Sequence, residues 1–180
     1  VNTLVSKNML ELEVTVQNYT DKKADLQIQG NINEWVNLAG TDINSAPVPA
    51  WKLGQEALKV APVKVAIPAN ASSKVVLQVP VSGELNYWTP EQPNLYAVLL
   101  SLQAKKETLD MKYERFGWRE WTLQGTTQYL NGKPYQLRGD SWHFMGIPQM
   151  TRRYAWAWFT AIKGMNATAV RPHALIYPRF

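Results

Sequence analysis

The stretch Leu10-Glu-Leu-Glu-Val-Thr-Val16 alternates apolar and polar residues without a break, as a strand does when one face is buried and the other wet. The pattern recurs along the first two thirds of the chain. Ala24–Ile32 places Leu26, Ile28 and Ile32 on one face. Val63–Ile67 reads as a strand, and Lys74–Val81 alternates through Val75, Leu77 and Val79 after a polar turn at 68–73. Leu95–Gln103 sets Tyr96, Val98, Leu100 and Leu102 on one face, and Leu109–Phe116 is the last run. Residues 34–62, with Pro47, Pro49 and Pro62, hold no sustained period and read as a long connection with at most one short strand. Six or seven short strands with no helical period predict an antiparallel sandwich of immunoglobulin-like type over residues 1–116.

Past Glu120 the pattern changes. Asn131-Gly132 tolerates positive φ at both positions and predicts a two-residue hairpin turn. A short strand follows over Gln136–His143 and ends in polar groups. From about Arg152 to Lys163 a helix is expected, with Thr151 as its N-cap and Ala155, Trp158, Phe159 and Ile162 as its apolar stripe. Gly164 is the expected left-handed residue that ends it, with Met165 closing over it. Ala167–Arg171 is a second short strand. Strand, helix, strand in this order is a β-α-β unit, which requires parallel strands. The chain's two histidines, His143 and His173, fall just past the C-terminal ends of those strands, the edge where a parallel α/β barrel places its chemistry.

Composition narrows the classes. A chain of 180 residues with 46% hydrophobic content supports one full domain and part of another. No apolar run is long enough for a membrane span. Without cysteine there are no disulfides or thiolate metal sites. The net charge of +5 is unevenly placed: residues 1–116 hold 11 basic and 12 acidic side chains, residues 117–180 hold 8 and 2. The basic residues of the second part are scattered, without the stripe that nucleic acid demands, so no nucleic-acid partner is expected. Any targeting signal is expected outside this span; a periplasmic or extracellular location is compatible with it. Three formal glycosylation sequons begin at Asn18, Asn70 and Asn166, and all read as chance occurrences, Asn166 as a residue buried at a strand.

Four segments, in order, resemble glycoside hydrolase family 2, the family of β-galactosidases, β-glucuronidases and β-mannosidases. They are Trp88–Tyr96 ("WTPEQPNLY"), Arg115–Glu120 ("RFGWRE"), Tyr129–Gly139 ("YLNGKPYQLRG") and Asn166–Arg171 ("NATAVR"). The resemblance covers roughly residues 88–180. It implies a mainly β chain: an immunoglobulin-like β-sandwich over 1–116, then over 117–180 the first β-α-β portion of a (β/α)8 TIM barrel. Trp88 and Tyr96 could stack on sugar, but packing against a neighbouring domain for Trp88 and core for Tyr96 are preferred.

Glycoside hydrolysis normally uses two carboxyl groups. After the sandwich only Glu120 and Asp140 are available, and Glu120 precedes the barrel. The resemblance places both catalytic glutamates on later barrel strands, so no catalytic residue is assigned in this chain, which alone is expected to be inactive. What it implies instead is the rim of a sugar pocket. His143 matches the family histidine that bonds a sugar hydroxyl, with a loop histidine bonding backbone carbonyls as the alternative. Arg171 matches the arginine that organises the charged floor. His173 lies near a second family histidine, one residue or so out of step. Asp140 and Trp142 complete the set, Trp142 either stacking on sugar or packing the barrel mouth. Ser141, Trp142 and Phe144 stand where the family has Asn, Arg and Glu, a departure from the standard β-galactosidase pocket. No metal and no cofactor is expected, since His143 and His173 lack a third ligand. Expected partners are a carbohydrate substrate and the remainder of the same polypeptide, with a homo-oligomer compatible. A non-catalytic carbohydrate-binding or spacer sandwich is the alternative function; the β-α-β unit speaks against it.

Overall fold

The computed structural model describes residues 1–38, 49–142 and 151–172. The chain forms two compact units, residues 1–36 with 52–134 and residues 37–51 with 135–180.

The first unit is a sandwich with a small appended sheet. Strands β1 (Asn2–Leu4), β2 (Met9–Gln17) and β5 (Ser72–Pro80) form one sheet in the order β1-β2-β5. Strands β3 (Ala24–Asn37), β4 (Trp51–Ile67), β6 (Tyr96–Ala104) and β7 (Glu107–Phe116) form the other, in the order β4-β3-β6-β7. Pairing is antiparallel between β1 and β2, β2 and β5, β3 and β6, and β6 and β7. This strand order corresponds to the A-B-E and C′-C-F-G sheets of an immunoglobulin-like sandwich. The alternating apolar residues of both sheets meet in one core. Leu10, Leu12 and Val16 from β2 and Leu77 and Val79 from β5 face Leu26, Ile28 and Ile32 from β3 and Tyr96 and Val98 from β6. Leu10, Leu12, Ile28, Ile32 and Ile67 are the largest fully buried side chains.

Tyr96, at the start of β6, is buried and its hydroxyl accepts the Asn86 N–H at 2.8 Å. That is the tyrosine corner of immunoglobulin-like folds, which pins the loop before this strand to it. The core position expected for Tyr96 is therefore correct, with a hydrogen bond added.

The described residues between 34 and 62 hold more strand than their sequence suggests. Strand β3 runs on to Asn37, and β4 begins at Trp51 and continues through Pro62 to Ile67. The order of the sheet puts β4 at its edge. An edge strand tolerates proline and buries few of its residues, so neither the proline nor the missing alternation prevents pairing. Asn18, the first sequon asparagine, is 6% exposed, with its amide donating to the carbonyls of Lys22, Ile67 and Pro68.

Residues 121–134 add a three-stranded meander of β8 (Trp121–Gln124), β9 (Thr127–Leu130) and β10 (Lys133–Pro134). Asn131 and Gly132 join β9 to β10 with φ of 52° and 75°, the hairpin turn that Asn-Gly predicts.

In the second unit, β11 (Gly139–Trp142) and β12 (Ala169–Pro172) pair in parallel, with helix α1 (Arg152–Gly164) between them in sequence. The β-α-β reading holds. Thr151 caps α1 by accepting the Tyr154 N–H at 3.1 Å. The C-terminus differs from expectation. Gly164 remains helical, Met165 is 71% exposed, and the left-handed residue is Asn166 with φ of 63°. Asn166 N–H bonds Lys163 O at 2.9 Å and Ala167 N–H bonds Ile162 O at 3.1 Å. This is a complete Schellman ending, for which asparagine is the usual substitute for glycine. Asn166 is thus exposed at a helix end, not buried at a strand. Of the apolar stripe, Ile162 is buried and Ala155 and Trp158 are half-buried, while Phe159 is exposed. At 100° per residue Phe159 lies on the far flank of the stripe, whose other flank is Tyr154, stacked on Trp158 at 6.3 Å.

Candidate functional site

Two clusters gather the residues that the sequence singles out. The first lies wholly in the sandwich unit. Gly117, Trp118, Arg119 and Glu120 leave β7 and run beside Trp88. The Trp88 N–H donates to Trp118 O at 2.9 Å, and the Arg119 guanidinium sits 4.1 Å from the Trp88 ring centroid. A Cβ on Gly117 would lie 2.9 Å from the Trp88 side chain, so only glycine lets the indole approach. Asn131 of the hairpin turn completes the knot. Its carbonyl oxygen accepts the Glu120 N–H at 2.9 Å and its amide donates to Trp88 O at 3.1 Å. The Glu120 carboxylate accepts from Ser6 N–H at 2.7 Å and from its hydroxyl at 3.2 Å, and the Thr3 hydroxyl donates to Arg119 O. The Asn131, Glu120 and Thr3 side chains are thus all hydrogen-bonded within this unit. Trp88 packs on Gly117 and Arg119, residues past the expected sandwich boundary at 116, as the packing reading for it expects.

The second cluster is the end of the parallel pair. Arg138 sets it up: its backbone N–H donates to the Thr168 hydroxyl at 3.2 Å, its O accepts from Thr168 and Ala169, and its Nε donates to Asn166 O at 3.0 Å. These bonds fix the register, which pairs Gly139 with Ala169, Asp140 with Val170 and Ser141 with Arg171. The six residues line a recess of about 300 Å³. A Cβ on Gly139 would come within 2.8 Å of Ala169 O, so the two strands approach closely there.

Successive side chains of a strand point to opposite faces. Arg171 therefore shares its face with Ser141, and Asp140 shares the other with Val170. The two described polar members of the predicted set are brought to adjacent strand ends but to opposite faces of the pair. Asp140 Oδ1 accepts its neighbour Ser141 N–H at 2.7 Å, a contact between sequence neighbours within β11. Trp142 is the last residue of β11. His143 and His173 lie outside the described residues. Ser141, the face-mate of Arg171, is the residue that the sequence reading underrated. Its signal is visible only once the register is known. Among the described residues no three His, Asp or Glu side chains converge on a possible metal position. Also among them, no helix is long and apolar enough to cross a membrane.

Comparison with known proteins places the chain. Residues 1–119 match the family of glycosyl hydrolases family 2, and the chain belongs to that family. Over 109 residues it is 31% identical to a protein of Formosa agariphila assigned as a beta-glucuronidase, and over 70 residues 37% identical to a beta-galactosidase of Photobacterium profundum. The matches cover 58% and 38% of this chain but 10% and 7% of those proteins. Among solved structures, the Bacteroides uniformis beta-glucuronidase superposes with a TM-score of 0.63 at 26% identity, covering 96% of this chain and 19% of that one. The chain thus spans about a tenth of the curated relatives it matches and about a fifth of that solved structure. Hydrolase and glycosidase are the terms those relatives carry, and the antiparallel, mainly β architecture is that of the family's sandwich.

Proposed function

We propose that these residues belong to a glycosidase that hydrolyses O-glycosidic bonds of a carbohydrate substrate by a retaining mechanism. Its two carboxylates would stand ~5–5.5 Å apart and would be supplied by polypeptide other than these 180 residues. The sandwich domain would be residues 1–116, and residues 117–180 would begin a (β/α)8 barrel. The observation that carries this reading is the family match together with the parallel β11–β12 pair. The pair brings polar residues to the C-terminal strand ends, where barrels of this kind do their chemistry.

The carboxylate inventory supports placing catalysis elsewhere. Glu120 is committed to Ser6, and Asp140 has no second carboxylate beside it among the described residues. In this reading Arg171 and Ser141 form the floor of the sugar pocket on one face. His143 bonds a sugar hydroxyl at the rim with His173 and Trp142, and Asp140 stands at the same strand end on the other face of the pair. The test is a pair of assays on p-nitrophenyl β-glucuronide and β-galactoside. The full-length protein is expected to turn over at least one of them, and the 180-residue chain neither. Turnover by the short chain, abolished by Asp140→Asn, would overturn the assignment, as would a full-length protein inactive on every aryl glycoside offered.

A further inference from the structure

The inward residues of β3 belong to the core; its outward residues do something else. They are Gln27, Gln29, Asn31, Asn33 and Trp35, four amides and an indole in unbroken alternation, all half-exposed. At the rise of a strand this row is about 27 Å long. The register carries it across the sheet. Asn33 lies level with Ala97 and Arg115, Asn31 with Leu99 and Tyr113, and Gln29 with Ser101 and Met111.

Such a row is a poor choice for stability. Asparagine is depleted in strands, where β-branched and aromatic residues fit better. A merely solvated face would also carry charges of both signs, and this row has none. The amides are held in place by one another. Gln27 Nε2 donates to Gln29 Oε1 at 2.8 Å, Asn31 donates to Asn33, and Asn33 Nδ2 donates to Gly54 O at 3.1 Å. Each bond uses one of an amide's two N–H groups and one of an oxygen's two lone pairs, so donors and acceptors remain along the row. Side chains already fixed lose little entropy when a ligand arrives.

At one end of the row the chemistry changes. The Arg115 guanidinium lies 5.1 Å from the Trp35 ring centroid, and the Tyr113 ring lies 6.2 Å from it. Ala97, level with Arg115, is fully buried, while Tyr113 is 53% exposed. A nucleic acid would call for several cations; beside the row, β6 and β7 add the apolar Leu99 and the exposed Met111. Neutral amides in line, aromatic rings beside them and a single guanidinium match a different ligand. Amides pair with vicinal hydroxyls, a ring covers the C–H face of a pyranose, and a guanidinium takes a carboxylate by two parallel bonds.

We propose that the outer face of the β3-β6-β7 sheet binds a polysaccharide strand bearing uronate carboxylates. Its hydroxyls lie along Gln27–Asn33, one ring rests against Trp35 or Tyr113, and a carboxylate pairs with Arg115. This binding does not depend on the catalytic reading and shares no residue with the strand-end recess.

The experiment follows the anisotropy of labelled polygalacturonate titrated with the full chain, with labelled polyglutamate and hydroxyethylcellulose alongside. Polygalacturonate is expected to bind. The double variant Asn31→Ala/Asn33→Ala should weaken it about tenfold, the loss of two hydrogen-bonding groups, with no change of charge. Gln27→Ala/Gln29→Ala should weaken it as well; among the described residues these two side chains hydrogen-bond only each other, so no other hydrogen bond described is lost with them. Arg115→Gln should lower affinity for polygalacturonate, and polyglutamate binding should be the same in the wild type and both amide variants. No binding of polygalacturonate, binding of equal strength in wild type and both amide variants, or binding of hydroxyethylcellulose alone would each overturn the proposal.

Discussion

The second unit of this chain is built from sequence at least as apolar as the first, but the two bury it to different degrees. In the sandwich unit, residues from both sheets form one continuous core, with Leu10, Ile28 and Ile32 essentially inaccessible. In the other unit, Ile162 is the large apolar side chain that is buried among the described residues. Leu137, Trp156 and Phe159 are each more than 40% exposed. The difference follows from topology. Two antiparallel sheets cover each other with residues close in sequence, whereas a parallel pair needs cover on both faces. One helix supplies at most one of them. Family resemblance sorts the same way. Its motifs in the sandwich unit tie the fold together at Trp88, Glu120 and Asn131; those in the second unit place polar groups at strand ends.

The sharpest way to break this comparison is to cut both cores equally. Ile32→Ala should cost about 3–4 kcal/mol, as large-to-small changes at fully packed sites do. The loss should appear as an earlier midpoint in urea denaturation followed by the β-sheet circular dichroism signal. Ile162→Ala should leave that midpoint where it is. A shift of similar size for both would mean that the two units share one cooperative core.

The junction tests the same contrast at a single polar side chain. Asn131→Ala removes two hydrogen bonds and puts a Cβ residue with no αL preference at φ 52°. About 2 kcal/mol should be lost in the same denaturation experiment. Asn131→Gly, which keeps the turn and loses only the bonds, should cost less than Asn131→Ala. Equal costs would show that the turn conformation contributes nothing.

How much of this could be read in advance depended on burial. Strands β2 and β5 were legible because each has one face in the core and one toward water, which writes a period of two into the sequence, and β6, none of whose residues is exposed, was legible from its apolar run. Strand β4 was not, because an edge strand with Pro62 is held by backbone pairing more than by side-chain burial. The three residues of β1 are too few to show any period. At the end of α1, Gly164 looked like the stop, yet Asn166 took the left-handed position, since both residues tolerate it. The strand-end placement of Asp140 and Arg171 was legible from the β-α-β order. Their separation onto opposite faces was not, because the register of a parallel pair is set by contacts such as Arg138 to Thr168, which no local pattern reports.

The smallest effect is expected at the helix. Thr151→Ala deletes the N-cap bond to Tyr154 N–H and should cost about 1 kcal/mol of local helix stability, read as faster amide exchange confined to Arg152–Trp158. Thr151→Asp should restore protection there. If Thr151→Ala accelerated exchange in β2 or β6, the helix would be coupled to the sandwich core.

Native-state hydrogen exchange on the 180-residue chain tests the whole comparison most directly. Amides of β2, β3, β5 and β6 should exchange only through global unfolding, the behaviour of a closed core. Amides of β11, α1 and β12 should exchange through smaller openings, at least tenfold faster, and with little response to low concentrations of denaturant. A single protection level across both units, with the same denaturant dependence, would contradict the account.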